Sequence, residues 1–212
     1  MIAKEIIAIV LGYLLGSIPS AYIAARLATG KDIRQIGGGN VGGFNTFREV
    51  GAKAALFVGI VDLGKGAAAV SVAHWLLGVP PLFVMLAGLA AVAGHNWMVW
   101  LKFSGGKGMG ATIGALAVLM PLHGYTYGFL IFLVTIIIPL VITRNVALSL
   151  GISLVFLPLI VWLGTQSGTA IIVSIALGLL ILFKFLPTAK AAWAKKAGKR
   201  DFVFGRVRKH ES

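Results

Sequence analysis

Cysteine is absent from this chain, which excludes disulfides, thiolate catalysis and cysteine-ligated metal. Acidic residues are nearly absent too: six Asp and Glu stand against 19 Lys and Arg in 212 residues. No pair of carboxylates is placed for acid–base work, and neither a metal-ligand cluster nor a Ser-His-Asp arrangement is visible. Charge of either sign is scarce at 12%, whereas 58% of the residues are hydrophobic. The core of an ordinary soluble domain needs far fewer apolar residues, so the chain reads as an all-α polytopic membrane protein. A net charge of +13 then points to loops facing anionic headgroups and acidic substrates rather than to nucleic acid.

A membrane-spanning helix needs about 20 largely apolar residues. That rule places spans near 2–27, 53–78, 80–101, 106–122, 124–143, 145–164 and 168–186, about seven in all. Residues 109–143 are almost continuously apolar, and Pro121, His123, Gly124 and the stretch Tyr125 to Gly128 divide them with a turn. Charge parity supports the division. With seven spans, 17 of the 19 Lys and Arg lie on one face, leaving Lys4 outside and Lys65 within a span. Six spans would strand Arg144 and the basic tail outside, against the positive-inside rule. The N-terminus is therefore expected outside and the C-terminus inside. Basic residues follow the first apolar run and no clear cleavage site does, so it reads as a span and not a signal peptide. With no internal repeat and no separate soluble domain, residues 1–186 form one transmembrane helical domain with cytoplasmic glycine-rich loops, and 187–212 a basic cytoplasmic tail. Thr188 is expected to cap a short interfacial helix there, with Trp193 in the headgroup layer and Lys195 and Lys196 in its last turn before Gly198.

What interrupts the apolar pattern is glycine. Four polar, glycine-laced islands occur: Gly16 to Ser20, Gly37 to Asn45, Asp62 to Gly66 and Ser104 to Gly108. Glycine weakens helices and buried charge is costly in a membrane, so the islands suggest an anion site. In the second, Gly38 and Gly39 let backbone N–H groups turn toward an anion, Arg34 and Arg48 add fork-shaped donors, and Asn40 and Asn45 add neutral ones. In the fourth, the amides of Gly105, Gly106 and Gly108 and the positive end of a helix dipole converge where Lys107 places a full charge. Asp62 and Lys65, three apart on a helix, share a face and can neutralise one another. The run from Gly59 to Gly66 imitates a P-loop but lacks its final Ser or Thr and follows no strand, which excludes nucleotide binding. His74 and His123 read as packing residues. His95 adjoins Asn96 and the glycine-lysine loop, where an imidazole can serve as a base or a phosphate donor.

Taken in order, these motifs resemble the bacterial acyl-phosphate:glycerol-3-phosphate acyltransferases known as PlsY. The resemblance runs from Gly16-Ser17-Ile18-Pro19 through Asp32-Ile33-Arg34, Gly37 to Asn40, Asn45, Arg48 and Gly51. It continues through Asp62-x-x-Lys65-Gly66, Gly94-His95 and Phe103 to Gly108, and ends at Thr143-Arg144. It implies an enzyme of the bacterial cytoplasmic membrane, its active site facing the cytoplasm, that moves an acyl group from a long-chain acyl-phosphate to the 1-hydroxyl of glycerol 3-phosphate. The product is lysophosphatidate, a precursor of phospholipid. The resemblance further implies that no metal, cofactor, coenzyme A or acyl carrier protein takes part at that step, and that a soluble acyl-phosphate-producing enzyme is a partner besides membrane lipid. By motif, Arg48, Lys107 and Asn45 would bind phosphate, Lys65 with Asp62 and Arg144 would shape the site, and His95 would orient substrate or act as base. The substrate's own phosphate is the alternative base.

The chain departs from that pattern in places. Gly38 stands where the family has serine, Phe44 where it has threonine and Met98 where it has proline, while Ala191 to Lys196 replace a basic and polar segment near the C-terminus. Two other classes fit the composition: a transporter of a small phosphorylated anion, which should show repeat symmetry and a midplane site, and a non-catalytic lipid-binding homologue.

Overall fold

The first apolar stretch does not form one helix. In a computed structural model describing residues 2–194, with side chains described through 187, α1 (Ile2–Gly16) stops at Ser17 and α2 (Ser20–Thr29) restarts after Pro19. Proline lacks the N–H that a continuous helix would need, so the chain breaks at that point. The first glycine island is therefore a helix break. Beyond it come α3 (Gly43–Glu49), α4 (Ala52–Ser71), α5 (Pro81–Asn96), α6 (Met109–Leu122), α7 (Thr126–Thr143), α8 (Val146–Thr165) and α9 (Gly168–Ala194). Among the described residues the only β pairing is an isolated bridge between Met98 and Ser104.

The described residues form two compact units, one through Thr126 and the other from Tyr127 onward. In the first, α1 packs on α5 and α4 on α6. Both contacts depend on glycine. A Cβ at Gly12 or Gly16 would strike the carbonyls of Ala87 and Ala91, and one at Gly66 or Gly114 would strike those of Ala111 and Leu63. Such close backbone approach is how helices associate in lipid, where the hydrophobic effect supplies little force between them. In the second unit α8 packs on α9, with Gly178 facing Leu154.

Five stretches are long and apolar enough to cross a membrane: Ile2–Thr29, Ala52–Leu76, Thr126–Thr143, Val146–Thr165 and Gly168–Pro187. Pro81–Asn96 and Met109–Leu122 are apolar but shorter. They fall short of the expected 80–101 and 106–122 because residues 97–108 leave the helix. Lys102 and Phe103 turn left-handed at φ 53° and 59°, and Met98, Gly106 and Gly108 are buried. Non-helical backbone among membrane helices is tolerated where protein covers it. The turn expected between 122 and 128 is present, with Gly124 at φ 70°.

Two expectations need correcting. No helix starts at Thr188, because α9 continues through Pro187 to Ala194; the alanine-rich sequence there favours helix strongly enough to carry it past the proline. Lys195, Lys196 and Gly198 lie outside the described residues. Nor are His74 and His123 packing residues: both are exposed, His74 edge-on to Trp75 and His123 with Nδ1 2.8 Å from the Leu119 carbonyl.

Candidate active site

The helix break at Pro19 frees polar groups for use inside the first unit. Ser20, the first residue of α2, donates its hydroxyl to Asp62 Oδ1 at 2.7 Å, and Lys65 Nζ reaches the same oxygen at 2.8 Å. Lys65 also donates to the Ile18 carbonyl at 3.3 Å. His95 completes the cluster, its Nδ1 lying 3.6 Å from Asp62 Oδ1. Asp62, Lys65 and His95 are 4%, 3% and 3% exposed, so their charges and dipoles act on one another with little screening by water. Gly110 lets α6 press on this cluster, since a Cβ there would meet that of Asp62.

The other edge of His95 leads to the fourth island. The Gly106 N–H donates to the His95 carbonyl at 2.9 Å. A Cβ at Gly106 would collide with His95 Nε2 on one side and lie 2.7 Å from the Val41 carbonyl on the other. One at Gly105 would strike the carbonyls of His95 and Asn96. Glycine at 105 and 106 thus brings together the imidazole, the 104–108 loop and the 37–43 loop. Gly108, at φ 81°, is the N-cap of α6. Lys107 beside it is half-buried, and burial pushes its ammonium below the usual lysine range.

The second island is held by its own side chains. Asn45 accepts from the Gly38 N–H at 3.1 Å and donates to the carbonyls of Ile33 and Ile36 at 3.3 and 3.1 Å, so its amide braces the loop. Gly37 and Gly39 are left-handed, whereas Gly38 is exposed with open space where a side chain would stand. Arg34 binds both carboxylate oxygens of Asp32 and donates to the Leu101 carbonyl at 3.3 Å, with the Tyr22 ring 5.6 Å below it. Its guanidinium holds the Asp32 carboxyl down to about 2. The stability from that pair is therefore complete above the ordinary carboxylate value of 3.8 and is lost as pH falls through about 2.

Three candidates remain. Arg48 is exposed on α3 and stacks 4.5 Å over Phe44, and Asn40 is half-buried at the mouth of the 37–43 loop. Arg144 belongs to the second unit, left-handed at φ 54° in the turn between α7 and α8. Sequence reasoning missed Ser20 as a partner of Asp62; the signal was the Pro19 break, which ends one helix and exposes the first turn of the next. Among the described residues no group of three or more His, Asp or Glu side chains is placed to hold a metal ion.

A helical membrane bundle whose buried carboxylate, lysine and histidine adjoin glycine loops bearing a cation defines a class: integral membrane proteins with a polar, charged cluster among their helices. The chain belongs to the glycerol-3-phosphate acyltransferase family, whose pattern it matches over residues 6–195. It is 49% identical to glycerol-3-phosphate acyltransferase 1 of Dehalococcoides mccartyi, over 92% of this chain and 94% of that one. It is 36% identical to the glycerol-3-phosphate acyltransferase of Parasynechococcus marenigrum, over 87% and 84%. Among solved structures it resembles the glycerol 3-phosphate form of PlsY, an integral membrane glycerol 3-phosphate acyltransferase, with TM-score 0.79 and 26% identity over 91% of this chain and 93% of that one.

Proposed function

We propose that this protein transfers the acyl group of a long-chain acyl-phosphate to the 1-hydroxyl of glycerol 3-phosphate, giving lysophosphatidate and phosphate. The observation that carries the reading is the junction at Gly106, where the glycine-lysine loop, the Val41 carbonyl and the His95 ring meet with no room for a side chain. An acyl-phosphate is already activated, so catalysis consists of holding two phosphates side by side and stabilising the carbonyl oxyanion. Lys107 and the amides of Gly105 and Gly108 supply positive groups for one phosphate, the Gly106 N–H being given to the His95 carbonyl. Arg48 and Asn40 supply them for the other, since the N–H groups of Gly38 and Gly39 are given to Asn45 Oδ1 and the Ile36 carbonyl. Asn45 and Arg34 brace that second loop, and Asp62 with Lys65 fixes the helices around His95.

The hydroxyl oxygen attacks the acyl carbonyl carbon, the new C–O bond forms, and the C–O bond to phosphate breaks with its electron pair leaving on phosphate. The hydroxyl proton ends on the departing phosphate, with His95 beside the transfer, so no proton is lost or gained overall. Purified protein given glycerol 3-phosphate and a long-chain acyl-phosphate tests the reading by forming lysophosphatidate. Tight phosphate binding without product would favour a non-catalytic homologue, and phosphate movement across a sealed vesicle a transporter.

Seven spans with the active site on the cytoplasmic face of the bacterial cytoplasmic membrane are part of the same proposal, supported by the side on which the basic residues collect. Because the chain has no cysteine, single cysteines report topology without a cleared background. Gly38→Cys and Ser104→Cys are expected to react with an impermeant thiol reagent only from the cytoplasm, and His123→Cys only from outside. Labelling of all three from one side would contradict the seven-span arrangement.

A further inference from the structure

We propose that Phe44 is a positioning residue for the acceptor, its ring drawing the Arg48 guanidinium back toward the 37–43 loop, where Arg48 and Asn40 together receive the phosphate of glycerol 3-phosphate. The proposal rests on the assignment of Arg48 and Asn40 to the acceptor phosphate given above. It starts from how Arg48 is held: its guanidinium carbon stands 4.5 Å over the centre of the Phe44 ring, and among the described residues no hydrogen bond or ion pair engages it. The adjacent carboxylate, Glu49, lies against Gly37 instead. The Arg48 charge is thus placed by a ring and not neutralised.

Phe44 and Arg48 are four residues apart on α3, so they share a face, and Arg48 belongs to the last turn of that helix. Four residues of helix rise about 6 Å. Lying over the Phe44 ring, the guanidinium is therefore carried back by about one turn, toward the N-cap at Gly42. Asn40 stands at that end, since a Cβ on Gly42 would lie 3.0 Å from Asn40 Nδ2. Stacking occupies only the face of the guanidinium. Its N–H donors point outward in the plane and remain open to take phosphate oxygens in pairs. Phe44 is 50% exposed and Arg48 is exposed, so the pair meets solvent where a small anion arrives. A long side chain loses freedom when it binds a ligand; one already laid on a ring has lost part of it beforehand, which tightens binding with no added contact to the ligand.

The test uses full-length protein in detergent. Phe44→Leu keeps an apolar side chain and removes the ring, whereas Phe44→Tyr keeps the ring. Phe44→Leu should raise the KM for glycerol 3-phosphate, and its Kd by titration calorimetry, roughly two- to fivefold, the size of a cation–π contact at an exposed site. Its kcat and its KM for acyl-phosphate should stay at the wild-type values. Phe44→Tyr should restore acceptor binding. In an Arg48→Gln background Phe44→Leu should add no further loss, because the ring acts only through the guanidinium. Unchanged KM and Kd in Phe44→Leu, or an equal loss in both backgrounds, would overturn the proposal. Nanodiscs with and without anionic lipid separate the acceptor's phosphate from a headgroup's: a Phe44→Leu effect confined to anionic discs would overturn it too. If Phe44→Leu does not fold, Phe44→Met, which also lacks the ring, carries the same comparisons. If wild type makes no product, the acyl-transfer reading fails while the Kd series still decides the role of Phe44; wild type that binds no glycerol 3-phosphate overturns both.

Discussion

Lys107→Ala is expected to lose turnover by at least about a hundredfold while remaining folded, the effect of removing a charge-stabilising donor from a water-poor site. Lys107 sits in the loop before α6, half-buried, so its removal empties little core. His123→Ala, an exposed change at the far end of α6, is expected to leave turnover near the wild-type level. The pH profile gives a second reading of the same residue. Burial lowers the pKa of Lys107, so its cation is lost as pH rises before a free lysine at 10.5 would lose it. The KM for the phosphate-bearing donor should therefore climb on the alkaline side, and that climb should vanish in Lys107→Arg, whose guanidinium does not titrate there. Near-normal turnover in Lys107→Ala would remove the glycine-lysine loop from the site.

Asp62→Ala should be the most destabilising single change in the first unit. Lys65, 3% exposed, would keep its ammonium buried without the carboxylate 2.8 Å away, and Ser20 would lose its acceptor. Removing one partner of a buried ion pair costs about 3–5 kcal/mol. The expected result is a large drop in yield and in thermal unfolding temperature, measured by helical circular dichroism in detergent. Replacing both partners together, as Asp62→Leu with Lys65→Met, removes the unmatched charge and should return most of the stability. Turnover should stay low in that double variant, because His95 has lost the carboxylate beside Nδ1. Full activity in it would show that the pair serves the fold alone.

Much of this architecture was legible from periodicity and charge. Long apolar runs announce helices because lipid leaves the backbone few other choices, and Pro121, His123 and Gly124 marked the turn between α6 and α7. Asp62 and Lys65 could be paired by their spacing, since three residues along a helix share a face. Long-range pairing was not legible. Ser20 lies 42 residues from Asp62, and no local rule predicts that the first turn of α2 will meet the middle of α4. Asn45 looked like a phosphate donor by residue type, yet its amide is occupied by Gly38, Ile33 and Ile36, contacts that exist only once the loop has closed. The lengths of α5 and α6 were overestimated because hydropathy does not register the hairpin at 97–108, whose buried Met98 and Leu101 are as apolar as the helices beside them.

The central claim is that the glycine-lysine loop receives a compact acyl-phosphate. Coenzyme A would need a surface for adenine and pyrophosphate, and the inward connections proposed here, about 25 and about 10 residues long, are too short to build one. The most direct measurement is donor choice. Purified protein with glycerol 3-phosphate is given either a long-chain acyl-phosphate or the matching acyl-coenzyme A, and lysophosphatidate is followed by mass spectrometry. The account predicts product from the acyl-phosphate and none from the thioester; product from the thioester alone would contradict it.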